Sequence, residues 1–143
     1  SASVQVNPDS GMDHYFAADA VAPSHHDRVG VSYYRTERVP NENVPGTIFA
    51  PGMPGVQQSN SDYVLAGGRG LNAPFSFVVV SPEFPAPDGV QTGFNGDYSG
   101  LCINKENEAH PLWSDTRNVN PFPLNGSTHD EDIFTMSVEL PGR

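Results

Sequence analysis

The residues best placed to do chemistry lie in FNGDYSGLCI, residues 94–103, where Asp97 and Tyr98 stand directly before a small-residue step and a short apolar run. A phenol is protonated at neutral pH. Tyr98 becomes a nucleophile only where a carboxylate takes its proton and cations steady the phenolate. Asp97 adjoins it, but neighbours on a strand point to opposite faces, so Asp97 is not an obvious base for it. The plainer alternative is a packed or hydrogen-bonded tyrosine. Further on, LWSDTRN ends in Asp115 and Arg117, two apart and so on one face of a strand. That spacing suits an ion pair that ties down a sheet corner, or a polar pair aimed at a ligand. HDED, residues 129–132, raises the question of a cation. Calcium needs several oxygens from convergent loops, and four adjacent side chains cannot all turn inward, so a solvated acidic loop is the simpler expectation. His25-His26-Asp27 has the composition of a polar hairpin tip, and Asp13-His14 is a weak acid/base pair.

The chain around these residues has 143 positions, a net charge of -10 and only 36% apolar residues. That length is enough for one domain with a core. Seven Lys and Arg residues are scattered without a basic patch, which argues against nucleic acid as a partner. A cation or a neutral sugar suits the acidic balance better than an anion does. Cys102 is the one cysteine, so no internal disulfide forms, and its plainest reading is a small buried hydrophobe. No apolar run approaches the length of a membrane span, and nothing resembles a signal peptide, although a signal removed before Ser1 is compatible with this. The single lysine, Lys105, together with abundant Asn, Ser, Gly and Pro, leans towards a secreted, extracellular protein. Asn125-Gly126-Ser127 has the form of a glycosylation acceptor.

Fourteen glycines and fourteen prolines separate short clusters of Val, Phe and Tyr, the pattern of short strands joined by long loops. SASVQV at the N-terminus reads as a strand. HYFAADAVAP, residues 14–23, reads as a strand in preference to a helix, although Ser10 to Asp13 has the form of a helix capping box. RVGVSYYRT is strongly strand-prone. A long loop follows from about Glu37 to Ser61, then the strand DYVLAG, a turn in GGRGLNAP and the strand FSFVVVSP. After a Pro-rich connection from Glu83 to Gly93 come DYSGLCIN, a turn at KENE, AHPLWSD, a loop from Asn118 to Thr128, and DEDIFTMSVEL. The fold class is therefore all-β, with at most one short helix, in the first 20 residues. The order of strand, hairpin, strand, long loop, strand occurs twice, over residues 12–82 and residues 94–140, and the first unit clearly shows a fourth strand, Phe77 to Ser81. Repeated four-stranded units with variable loops are the sequence form of β-propeller blades. A closed β-sandwich of seven or eight strands is the alternative.

GDYSGL followed by LWSDTRN and DEDIFT resembles the last blade of sialidase-like (BNR-repeat or Asp-box) propellers, and VGVSYYRT with DYVLAG resembles the blade before it. The resemblance covers nearly the whole chain but only about two of an expected six blades. It implies that the chain completes a larger propeller or assembles with other copies, because two blades leave open edges and apolar flanks. It further implies a glycan partner and glycoside hydrolysis, with Tyr98 in a Y-S-x-L setting as nucleophile and Asp97 beside it. Arg69 then stands where a substrate-clamping arginine is sought, although it falls in a turn by the pattern above, and Asp115 and Arg117 become substrate-binding candidates. No cofactor is implied. The stretch GGRGLNAPFSF occupies the place of the family's Asp-box but carries no aspartate.

Overall fold

The computed structural model of the protein describes residues 3–7, 11–24, 27–37, 60–70, 74–87, 98–122 and 129–142. Asp97, His25, His26 and the Asn125–Ser127 tripeptide lie outside the described residues, as do most of the two loops expected between Glu37 and Ser61 and between Asn118 and Thr128. Eight strands and no helix make up the described secondary structure: β1 (Met12–Val21), β2 (Arg28–Glu37), β3 (Ser61–Arg69), β4 (Ser76–Val79), β5 (Gly100–Ile103), β6 (Glu108–Val119), β7 (His129–Thr135) and β8 (Val138–Glu139). They form two four-stranded antiparallel sheets. The first is a meander in the order β1-β2-β3-β4; the second runs β5-β6-β7, with β8 also paired to β6.

β8 keeps the register that β7 has on β6: Leu112 faces Thr135, and three positions back Ala109 faces Val138. The two are one line of strand, interrupted opposite Pro111. Proline has no N–H to give to a ladder, so a proline inside a central strand forces such a break. The expected N-terminal strand in SASVQV is absent: residues 3–7 make no ladder. The expected turn in GGRGLNAP starts later than its glycines suggest, because β3 runs through Gly67 and Gly68 to Arg69. Glycine costs a strand packing and entropy, but here it admits neighbours. A Cβ on Gly68 would press on the Phe75 ring, and Gly67 lies against Leu140 and the Pro141 carbonyl.

The two sheets face each other across two apolar clusters. One joins Leu65 and Ala22 of the first sheet region to Ile103, Ala109 and Leu140 of the second. The other joins Tyr34, Tyr63 and Phe84 to Trp113, with Tyr15, Val80 and Phe134 packed on it. Gly30 is the closest approach of the layers: a Cβ there would sit 2.9 Å from Leu140 Cδ1 and 3.0 Å from Ile103 Cδ1. A third cluster, of Tyr33, Val64 and Ala66, lies on the opposite face of the first sheet, so β3 is buried on both sides.

Candidate functional site

Strand pairing puts at one end of the two sheets the strand ends that the three long connections join: the end of β2 and start of β3, the end of β4 and start of β5, and the end of β6 and start of β7. The short turns lie at the other end. The contact of Tyr34 with Ser114 marks the loop end, and that of Arg28 with Leu140 marks the turn end. Tyr34 lies six positions along β2 from Arg28, about 20 Å of extended chain.

At the loop end the aromatic rings form a continuous series across both sheets. Tyr15 stacks on Tyr34 at 5.3 Å, Tyr34 meets Tyr63 edge-on at 4.8 Å, Tyr63 stacks on Trp113 at 5.2 Å, and Trp113 lies 6.2 Å from Phe134. The Arg117 guanidinium closes the series 4.1 Å over the Phe134 ring. Polar atoms along the way are answered one by one. The Tyr34 hydroxyl donates to the Ser114 carbonyl at 3.0 Å and accepts from the Ser114 N–H at 2.8 Å. The Tyr63 hydroxyl donates to Ser32 Oγ at 3.1 Å. Burial pushes the Tyr34 phenol well above the usual tyrosine range and raises that of Tyr63, against the lowering effect of those hydrogen bonds.

Tyr34 also explains where Tyr98 goes. Gly100 pairs with Leu112, so the position opposite Ser114 would fall to Tyr98. The Tyr34 hydroxyl already holds the Ser114 backbone, β5 begins only at Gly100, and the Tyr98 side chain stands 87% exposed. Its neighbour Ser99 donates to the Phe16 carbonyl of β1 at 2.7 Å, which fixes this corner between the sheets.

Asp115 is fully buried. It accepts from Trp113 Nε1–H at 3.1 Å, from the Arg117 backbone N–H at 2.9 Å and from the Arg117 guanidinium, with which it forms an ion pair. Next to it, Ser114 Oγ donates to Glu131 at 2.9 Å and Asn118 Nδ2 donates to Asp132 at 2.7 Å. HDED is therefore the start of β7, with its residues alternating along a strand. Among the described residues no group of three His, Cys, Asp or Glu side chains is arranged to hold a metal ion. Arg35 pairs with Asp62 on the same end.

Arg69 does not join this set. It is the last residue of β3, exposed, and pairs in register with Arg28 at the turn end. Arg28 is 6% exposed and gives Nη2 to the carbonyls of Leu140 and Pro141, at 2.8 and 3.0 Å, holding the chain after β8 against the first sheet. The structure thus brings Tyr98, Asp115 and Arg117 to one end and leaves Arg69 at the other. Sequence reasoning missed Tyr34 and Arg28. The strand-prone YY pair was legible, but its two rings belong to opposite faces, and only tertiary contact reveals their partners. Cys102 is exposed on the outer face of β5, not buried as expected. No helix among the described residues is long and apolar enough to cross a membrane. No family model, no curated protein and no solved structure matches the chain.

Proposed function

We propose that this chain is the terminal part of a secreted, sialidase-like propeller that binds glycans at its loop end and hydrolyses them as an exo-glycosidase. The observation that carries the reading is that the strand ends flanking all three long connections fall at one end of two antiparallel sheets, together with Tyr98, Asp115 and Arg117. Loops gathered at one end of a rigid β scaffold are where such scaffolds place ligand sites. The GDYSGL and LWSDTRN stretches support the same family. In this reading Tyr98 is the nucleophile, Asp97 its neighbouring carboxylate, and the remaining machinery comes from blades contributed by a longer chain or by further copies. Arg69 as a substrate clamp would require a ligand at the turn end, so it is the weakest member of the set.

A second reading, glycan or protein recognition without turnover, is favoured by one specific observation. The Asp115 carboxylate is fully buried and taken up by Trp113 and Arg117, so it is not available to polarise a substrate. Fluorogenic sialosides and hexosides, together with a glycan array, separate the two readings when applied to the longer protein that the proposal requires. The enzyme reading expects turnover by the wild type and loss by orders of magnitude in Tyr98→Phe, with binding retained. Equal turnover in the variant removes Tyr98 from the chemistry. Binding with no turnover in the wild type selects the second reading, and silence in both assays rejects both.

A further inference from the structure

Arg28 is a guanidinium almost wholly removed from water, 6% exposed, and its partners there are neutral. Nη2 donates to the Leu140 and Pro141 carbonyls at 2.8 and 3.0 Å and reaches the Gly142 carbonyl at 3.4 Å. Nε is buried and has no hydrogen-bond partner among the described residues, and no carboxylate among them forms an ion pair with Arg28. A guanidinium carries five N–H donors, and burying its charge without a counter-charge is unfavourable. Strand pairing sets a second cation beside it. Arg69 stands directly opposite Arg28 on β3, and opposite residues of an antiparallel pair turn to one face of the sheet. Their Cα atoms are about 5 Å apart in such a pair, well within the reach of two arginine side chains. Arg69 is exposed, and it too has no ion pair with a carboxylate among the described residues. Like charges directly opposite destabilise a ladder. The turn end therefore holds a cationic pair, one member buried and unanswered and the other open to solvent.

We propose that Arg28 and Arg69 hold a tetrahedral oxyanion, phosphate or a phosphate monoester, at the turn end. One such ion between the two guanidiniums supplies the counter-charge that Arg28 lacks and replaces the repulsion within the pair by a shared attraction. A phosphate has oxygens for two arginine forks at once, whereas a carboxylate presents a single edge. The net charge of -10 disfavours an anion over most of the surface, and the arginines of the loop end are taken, Arg35 by Asp62 and Arg117 by Asp115. Arg28 and Arg69 converge with no acid paired to either. The site lies at the opposite end of β2 from Tyr34 and does not depend on the glycan reading. An anion there also holds Arg28 over the carbonyls of residues 140–142, so its binding steadies the chain after β8.

Calorimetry and thermal-shift titration of the full chain at constant ionic strength, with inorganic phosphate, glucose 6-phosphate, acetate and chloride as probes, test this. Inorganic phosphate should bind saturably and raise the thermal midpoint, with acetate and chloride inert. Phosphate also stabilises proteins through exclusion from their surface, but that effect does not saturate and is blind to a single arginine. Arg69→Gln removes an exposed cation at a strand end. Without phosphate it should melt no lower than the wild type, because it relieves a repulsion, and it should bind phosphate about tenfold more weakly or worse. Lys105→Gln, at an exposed turn, should bind like the wild type. The Arg28 Nε–H, shielded by burial, should give an NMR signal that moves as phosphate is added to the wild type and stays still in Arg69→Gln. Equal affinity for the two phosphate probes assigns the site to the free ion, and tighter binding of glucose 6-phosphate assigns it to an ester; either result supports the site. A response to phosphate that does not saturate, an equal response in Arg69→Gln, or an Arg28 Nε–H signal that phosphate leaves in place overturns it.

Discussion

Tyr34 and Asp115 divide the work of holding the loop end together. The hydroxyl of Tyr34 stands in for the partner that Ser114 lacks on its β5 side, while Ile133 of β7 faces it on the other. Tyr34→Phe leaves a buried N–H and C=O unanswered and should cost about 1–3 kcal/mol in a denaturant titration. Asp115→Ala strips the acceptor from Trp113 and Arg117 at once and should cost about 3 kcal/mol or more. If instead stability holds while glycan binding falls, Asp115 is a ligand residue and the structural account of it fails. The two buried phenols also set a pH limit. Their pKa values are raised in the folded protein, so the native state keeps protons that the unfolded chain sheds above about pH 10. Their contribution to stability is intact below that pH and is lost progressively above it. The thermal midpoint should therefore fall on the alkaline side, and replacing both tyrosines by phenylalanine should flatten the decline.

At the scale of elements, the seam between the sheets depends on small residues where Leu140 arrives. Gly30→Ala drives a methyl group into Leu140 and Ile103 and should destabilise by about 1–3 kcal/mol, read as a lower urea midpoint with an unchanged slope. This element was only half legible beforehand. RVGVSYYRT and DYVLAG show their strands by β-branched and aromatic residues, and both formed. The glycines after DYVLAG resemble a turn because sequence carries their backbone freedom but not the Leu140 and Phe75 side chains they accommodate. DYSGLCIN looks longer than β5 because nothing local announces that Tyr34, far back in the chain, will take the backbone of Ser114. The bulge at Phe16 is equally silent, since the groups that meet Phe16 there, Tyr34 of β2 and Ser99, are distant in the sequence. Of the candidate site, Asp115 and Arg117 were placed on one face by their spacing, and they do meet. Arg69 had no local signal for which end of the sheets it would occupy.

For the molecule as a whole, the outer face of the second sheet keeps Leu112 and Ile133 exposed on neighbouring strands, and the far edge of β7 has no partner strand among the described residues. A propeller piece should therefore self-associate when isolated, and size-exclusion chromatography with light scattering should show species larger than one chain. A compact monomer with one cooperative melt is the contrary result and favours the closed sandwich. The two layers also enclose a spectroscopic reporter. Trp113 is the protein's one tryptophan, and it lies 97% buried on the second sheet with its ring flat against Tyr63 of the first. Its emission should be blue-shifted and fed by energy transfer from Tyr63 and Tyr34 only while the layers stay together. The coupled rings should give a near-ultraviolet dichroism band that far-ultraviolet strand signals do not share. A single fluorophore built into the seam lets parting of the layers be timed separately from unravelling of either sheet, without any added label.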